Sequence, residues 1–113
     1  MIQRERLVKD FEAMAQLTAP GEGINRLAFT DADWAGRQYI IDCMTDAGLS
    51  VEIDDFGNVI GYKIGKKPEL PVVMVGSHTD SVPNGGNYDG VVGVLSAIEV
   101  IRSMTDDGYE YDH

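Results

Sequence analysis

Cysteine occurs once in the 113 residues, at Cys43, so no internal disulfide forms and no thiolate cluster holds a metal. That lone thiol reads as a small apolar residue on a helix. No apolar run approaches the length of a membrane span, which excludes a membrane partner. Met1 to Asp10 mixes charges of both signs where a secretory leader needs an uninterrupted apolar stretch, and the chain reads as cytoplasmic. Basic residues are also scarce. Nine Lys and Arg against nineteen Asp and Glu give a formal charge of -10, a field that repels phosphate backbones and excludes nucleic acid as a partner.

What is present is ordinary for a globular chain. Hydrophobic residues make up 43% and charged residues 25%, which argues against disorder and fibrous repeats. The length suits one small domain and is too short for a core domain plus a separate lid. Thirteen glycines are many, and several cluster.

Leu7, Phe11, Met14 and Leu17 recur at helical spacing, predicting a first helix over roughly the first seventeen positions that stops at Ala19-Pro-Gly-Glu-Gly23. Thr30-Asp-Ala-Asp33 offers a capping hydroxyl and early acids, Trp34, Ile41 and Met44 follow at helical steps, and Gly48 sits where a C-cap belongs. That is a second helix, 31 to 47. Val51 and Ile53 alternate with acids, Phe56-Gly-Asn58 supplies a turn, and Val59, Ile60, Tyr62 and Ile64 form a second β-rich run, so the two pair as a hairpin. Pro71-Val-Val-Met-Val-Gly76 is apolar without alternation, the pattern of a central strand covered on both faces. Beyond a glycine-rich loop, Val91 to Met104 is apolar on nearly every side and reads as a helix buried in a larger body.

This order predicts an α/β fold with a mixed sheet, in which the last helix is a crossover towards a further parallel strand. Tyr109-Glu-Tyr-Asp-His113 is too short and polar to be that strand, so residues 1 to 113 are expected to be an incomplete catalytic domain, truncated before its later parallel strands, with a bare sheet edge. Trp34, Phe11, Phe29 and the methionines are expected in the core. Glu52, Asp54 and Asp55 read as a solvated strand face rather than a cation site.

The chemistry concentrates at the end of the expected central strand, where loops leaving an α/β sheet form ligand crevices. In Gly76-Ser-His-Thr-Asp-Ser-Val-Pro-Asn-Gly-Gly-Asn-Tyr-Asp-Gly90, His78 offers an imidazole suited to zinc or a similar divalent ion. Asp80 lies two residues on, placed to hydrogen-bond the ring and fix its tautomer. Asp89 has two oxygens with which to bridge paired ions. A nucleophilic role for Ser77 or Ser81 beside His78 ranks below the metal, because neither lies in a nucleophile elbow.

That segment, with Val92-Gly-Val-Leu95 after it and Ile24-Asn-Arg-Leu-Ala-Phe-Thr30 and Asp55-Phe-Gly-Asn-Val-Ile-Gly61 before it, resembles the hydantoinase/carbamoylase family. The family includes N-carbamoyl-L-amino acid hydrolases, allantoate amidohydrolases and β-ureidopropionases, within the aminoacylase and carboxypeptidase-type superfamily. The double glycine before Tyr88-Asp89-Gly90 favours this branch over the peptidase and aminoacylase branches, which stand as the alternative. The resemblance implies the N-terminal part of a phosphorylase/hydrolase-like metallopeptidase catalytic domain without its lid. It implies His78 and Asp89 as metal ligands, Asp80 as the catalytic-site clamp on His78, and two divalent ions, zinc or manganese, in the complete enzyme. It also implies water activated by those ions attacking a carbamoyl or ureido C-N bond of a small substrate, and a cis peptide at Asp89-Gly90.

The family's chemistry further needs a consecutive glutamate pair and later histidines. This sequence has no such pair, and its other histidine, His113, lies on a polar tail that reads as solvated. Metal is accordingly expected to be absent or weakly held by these residues alone. A folded fragment without activity, self-associating through an uncovered sheet edge, is the second reading.

Overall fold

Five regular elements run in the order helix, helix, strand, strand, helix across residues 1–113, all of which the computed structural model describes. Helix α1 (Arg4–Gln16) turns Leu7, Phe11 and Met14 to one face, as their three- and four-residue spacing requires. Helix α2 (Asp31–Asp46) starts at Thr30, whose hydroxyl accepts from the Asp33 amide at 3.4 Å. It ends at Gly48, whose φ of 84° lets the Leu49 amide return to the Met44 carbonyl at 3.0 Å. Strands β1 (Ser50–Ile53) and β2 (Val59–Tyr62) pair antiparallel, with Ser50 opposite Tyr62 and Ile53 opposite Val59. Helix α3 (Val91–Asp106) follows the glycine-rich loop.

The core lies where the three helices meet. Met14 from α1, Ile40 and Cys43 from α2, Ala47 just beyond it, and Val91, Leu95 and Ile98 from α3 form one buried cluster. The hairpin packs on α2, and α3 packs on α1. Two polar ties cross this junction. Asp10 accepts from Tyr39 Oη at 2.7 Å and from Arg102 Nη1 at 2.5 Å. Glu99, fully buried, accepts from Arg6 Nε at 2.7 Å, the Gln3 amide at 2.8 Å and Ser103 Oγ at 3.0 Å. Burial alone would raise the Glu99 carboxyl, but these donors, Arg6 foremost, outweigh it and hold the group at about 2.

Several expectations are corrected. The chain is a small α/β fold, but its sheet has two strands only. Pro71 to Gly76 is not a strand, because no other segment pairs with its backbone. Its apolar side chains lie open, Val72 at 81% and Met74 at 81% exposure. The unbroken apolar run thus encodes a need for cover that these residues do not themselves meet. Helix α3 is buried on one face rather than all round, with Val92 and Val100 exposed.

Trp34 and Phe29 are outside the core, 48% and 60% exposed. The Arg37 guanidinium stacks on both, 4.8 Å from the Trp34 ring and 5.5 Å from the Phe29 ring, which satisfies their faces at the surface. Asp54 does not decorate a strand face but builds the hairpin turn. Its Oδ1 accepts from the amides of Phe56, Gly57 and Asn58 at 3.0, 2.9 and 2.8 Å, and the Asn58 side chain leads the donors that lower its pKa.

The tail is exposed, as a polar tail should be, and is also tied back to the chain. The amides of Lys66 and Lys67 donate to the carbonyls of Tyr111 and Asp112 at 2.8 and 2.9 Å, and the His113 ring meets the Pro71 carbonyl at 2.8 Å. Extended backbone beyond β2 has unpaired groups, and the tail satisfies some of them. No helix is long and apolar enough to cross a membrane.

Candidate active site

With no sheet neighbour beside residues 71–76, the loop that follows is held from a different side. Residues 24 to 26 run along it. The amides of Ile24 and Gly85 exchange bonds with each other's carbonyls at 3.0 and 2.8 Å, an isolated antiparallel bridge. The Asn84 amide donates to Asn25 Oδ1 at 2.9 Å, and the Ser81 amide to the Arg26 carbonyl at 2.7 Å. The Ser81 hydroxyl donates to the Ile24 carbonyl and accepts from the Arg26 amide, both at 3.0 Å. Ser81 is therefore a structural hydroxyl, and Ser77 packs beside Gly93, so the serine-nucleophile alternative gains no His78 contact.

Arg26 completes the clamp. Its side chain is fully buried, and it donates from Nε to the Thr79 carbonyl at 2.7 Å and from Nη1 to the carbonyls of Met14 and Leu17 at 2.8 and 2.6 Å. Burial lowers its pKa, opposed by the charges of Asp33 and Asp80. In the sequence Arg26 is marked by its place in the family-like segment Ile24 to Thr30 and as the one charge in that stretch, neither of which points to the loop it holds.

The loop brings the three expected side chains together. His78 Nδ1 lies 3.1 Å from the Asp80 carbonyl oxygen and 3.3 Å from Asp80 Oδ1. On the opposite edge of the ring, Nε2 lies 3.8 Å from Asp89 Oδ2. All three side chains are open to solvent, with His78 at 52% and Asp89 at 77%. Tyr88, next to Asp89, is fixed to α1 by an edge-to-face contact with Phe11 at 5.3 Å.

Gly90 sets the ring's position from below. Its φ is 70°, and a Cβ there would overlap the His78 ring and carbonyl. The expected cis peptide at Asp89-Gly90 is not formed, since every peptide is trans. The left-handed glycine turns the chain into α3 instead, with the Val91 amide donating to the Asp89 carbonyl at 2.8 Å.

Both groups near Nδ1 are acceptors, so the neutral tautomer they favour carries its proton on Nδ1 and turns the Nε2 lone pair outward. Nε2 and Asp89 Oδ2 are then two electron-rich atoms beyond hydrogen-bond reach of each other. Their 3.8 Å separation is within roughly 4.2 Å, the span of two metal-ligand bonds sharing one ion. The donor chemistry fits a divalent ion, but the donor count does not, for Asp80 lies on the far ring nitrogen and no group of three or more His, Cys, Asp or Glu in the chain is arranged to hold one ion.

No protein-family model matches the chain. It is similar to the N-carbamoyl-L-amino-acid amidohydrolase of Paenarthrobacter aurescens, 44% identical over 111 residues that cover 98% of this chain and 27% of the relative. It is also similar to the ureidoglycolate hydrolase of Arabidopsis thaliana, 45% identical over 92 residues, 81% of this chain and 19% of the relative. Among solved structures, an amidase of the hydantoinase/carbamoylase family from Burkholderia multivorans superposes with a TM-score of 0.93 at 42% identity, over 99% of this chain and 28% of that one. The chain thus spans about a quarter of the length of the relatives it matches.

Proposed function

We propose that this chain, which belongs to the hydantoinase/carbamoylase family of amidohydrolases, supplies one wall of a cytoplasmic enzyme's active site that hydrolyses a carbamoyl or ureido C-N bond of a small substrate. The observation that carries the assignment is the convergence of His78 Nε2 and Asp89 Oδ2, with Asp80 held against the other ring nitrogen. His78 and Asp89 are the residues that would hold a divalent ion, zinc or manganese. Asp80 orients the imidazole so that its free lone pair faces Asp89. The chemistry that paired divalent ions supply in such sites is polarisation of a carbonyl and acidification of water. His78 and Asp89 are two donors, where a catalytic zinc ion takes three from the protein.

The same donor count favours a second reading for the chain by itself, that it folds without turning over substrate. Calorimetric titration of zinc, and separately manganese, into the 113-residue chain tests the site. With two donors, only weak heat that disappears in His78→Ala and in Asp89→Asn is expected, and no heat at millimolar metal, or heat unchanged by both substitutions, overturns the assignment. Incubation with an N-carbamoyl amino acid should leave it intact. Turnover by the chain alone would overturn the second reading.

A further inference from the structure

Arg26 is a buried cation with no carboxylate bonded to its side chain. Taking a guanidinium out of water is costly, and a residue kept in this way needs a role that a neutral side chain does not fill. Its donors are divided between two places. Nη1 serves the Met14 and Leu17 carbonyls at the C-terminal end of α1, where unsatisfied carbonyls and the helix dipole attract positive charge. Nε serves the Thr79 carbonyl, in the peptide bond that joins Thr79 to Asp80 and one residue after His78.

A second feature is arranged around the same side chain. Gly36 sits inside α2, where glycine weakens a helix, and a Cβ there would lie 2.8 Å from Arg26 Cδ. Helix α2 thus leaves room for the arginine stem to cross from the end of α1 to the loop. No strand partner holds residues 71–76 from the other side; the loop is tied through the backbone bonds of residues 24–26 to Ser81 and Gly85, the Asn84–Asn25 bond and the Tyr88–Phe11 contact, and the Arg26 side chain is the tie that reaches Thr79, between His78 and Asp80.

We propose that Arg26 is a positioning residue, whose planar fork fixes the Thr79 carbonyl to the end of α1 and thereby sets the placement of His78 and Asp80. The inference rests on the reading that His78 and Asp80 belong to the active site. A planar group with several fixed donors reaches both places at once, whereas lysine brings charge without the fork.

The test is backbone relaxation NMR on the metal-free chain, comparing wild type with Arg26→Lys and Arg26→Met. In wild type the amides of Thr79 to Ser81 are expected at order parameters of about 0.85, and in both variants below about 0.6, while Leu95 and Ile98 in α3 keep wild-type values. A merely structural arginine would loosen core and loop together. Loop order unchanged in a folded variant overturns the proposal, and so does parallel loosening of loop and core. Should neither variant fold, exchange of the Arg26 Nε proton in wild type decides. Protection at least tenfold beyond that of exposed Arg4 is expected, and equal exchange overturns it. Because this measurement contains no metal, a failure of His78-dependent zinc binding would remove the functional reading and leave the result on Arg26 standing.

Discussion

Arg6 on α1 grips Glu99 on α3 through two hydrogen bonds, Nε to Oε2 at 2.7 Å and Nη2 to Oε1 at 3.0 Å. Arg6 also reaches Asp106 at 3.0 Å, so one side chain fastens the first helix to both ends of the last helix's final turns.

The Glu99 carboxyl falls from 4.5 to about 2 on folding, so the folded state favours its charged form. A depressed carboxylate stabilises the fold above its unfolded pKa, and that contribution is lost as pH falls from 4.5 through about 2. The magnitude is roughly 3 kcal/mol. Urea unfolding of wild type and Glu99→Gln should differ by about this amount at pH 7, with the gap closing between pH 4.5 and 2. Parallel curves across that range would show that the pair contributes no linkage.

Gly36→Ala should destabilise the chain by about 1 to 3 kcal/mol, although alanine is the better helix former. The new methyl would press on Arg26 Cδ. Adding Arg26→Met, which thins the side chain at the contact, should make the pair of substitutions less than additive in a double-mutant cycle. Strict additivity would mean that the two residues do not share the space.

Gly90→Ala combines a positive φ with overlap against the His78 ring, and a loss of roughly 1 to 3 kcal/mol is expected. The substitution should also move the His78 ring resonances while leaving those of Trp34 in place. A variant as stable as wild type with an unmoved His78 would show that the loop has another way to turn.

Burial raises the Cys43 thiol, and the nearby Asp10 charge raises it further. Low thiolate content and poor access should make its reaction with an aromatic disulfide reagent slow in buffer and complete in urea. Rapid labelling of the folded chain would show that the junction of α1, α2 and α3 opens readily.

Helix α2 shows how much a local signal carries. Thr30 before the helix and Gly48 after it mark its ends in the sequence, because capping depends on neighbours a few residues away. The hairpin is equally local, although the role of Asp54 as the acceptor of three turn amides was hidden by its place in an alternating run. His78, Asp80 and Asp89 were legible as chemistry-bearing residues on a glycine-rich loop, and their mutual distances were not. Arg26 was missed because its partners, Met14, Leu17 and Thr79, are scattered along the chain.

By itself the sequence determined the three helices, the hairpin and the grouping of His78, Asp80 and Asp89 on one loop, since each follows from periodicity, caps and side-chain chemistry over short spans. Tertiary structure alone decided that residues 71–76 stand unpaired, that Trp34 and Phe29 lie outside under Arg37, and that Arg26 ties the end of α1 to the His78 loop. A strand exists only through its neighbour, and a buried charge is tolerable only where acceptors from distant segments meet around it, neither of which any local pattern can express.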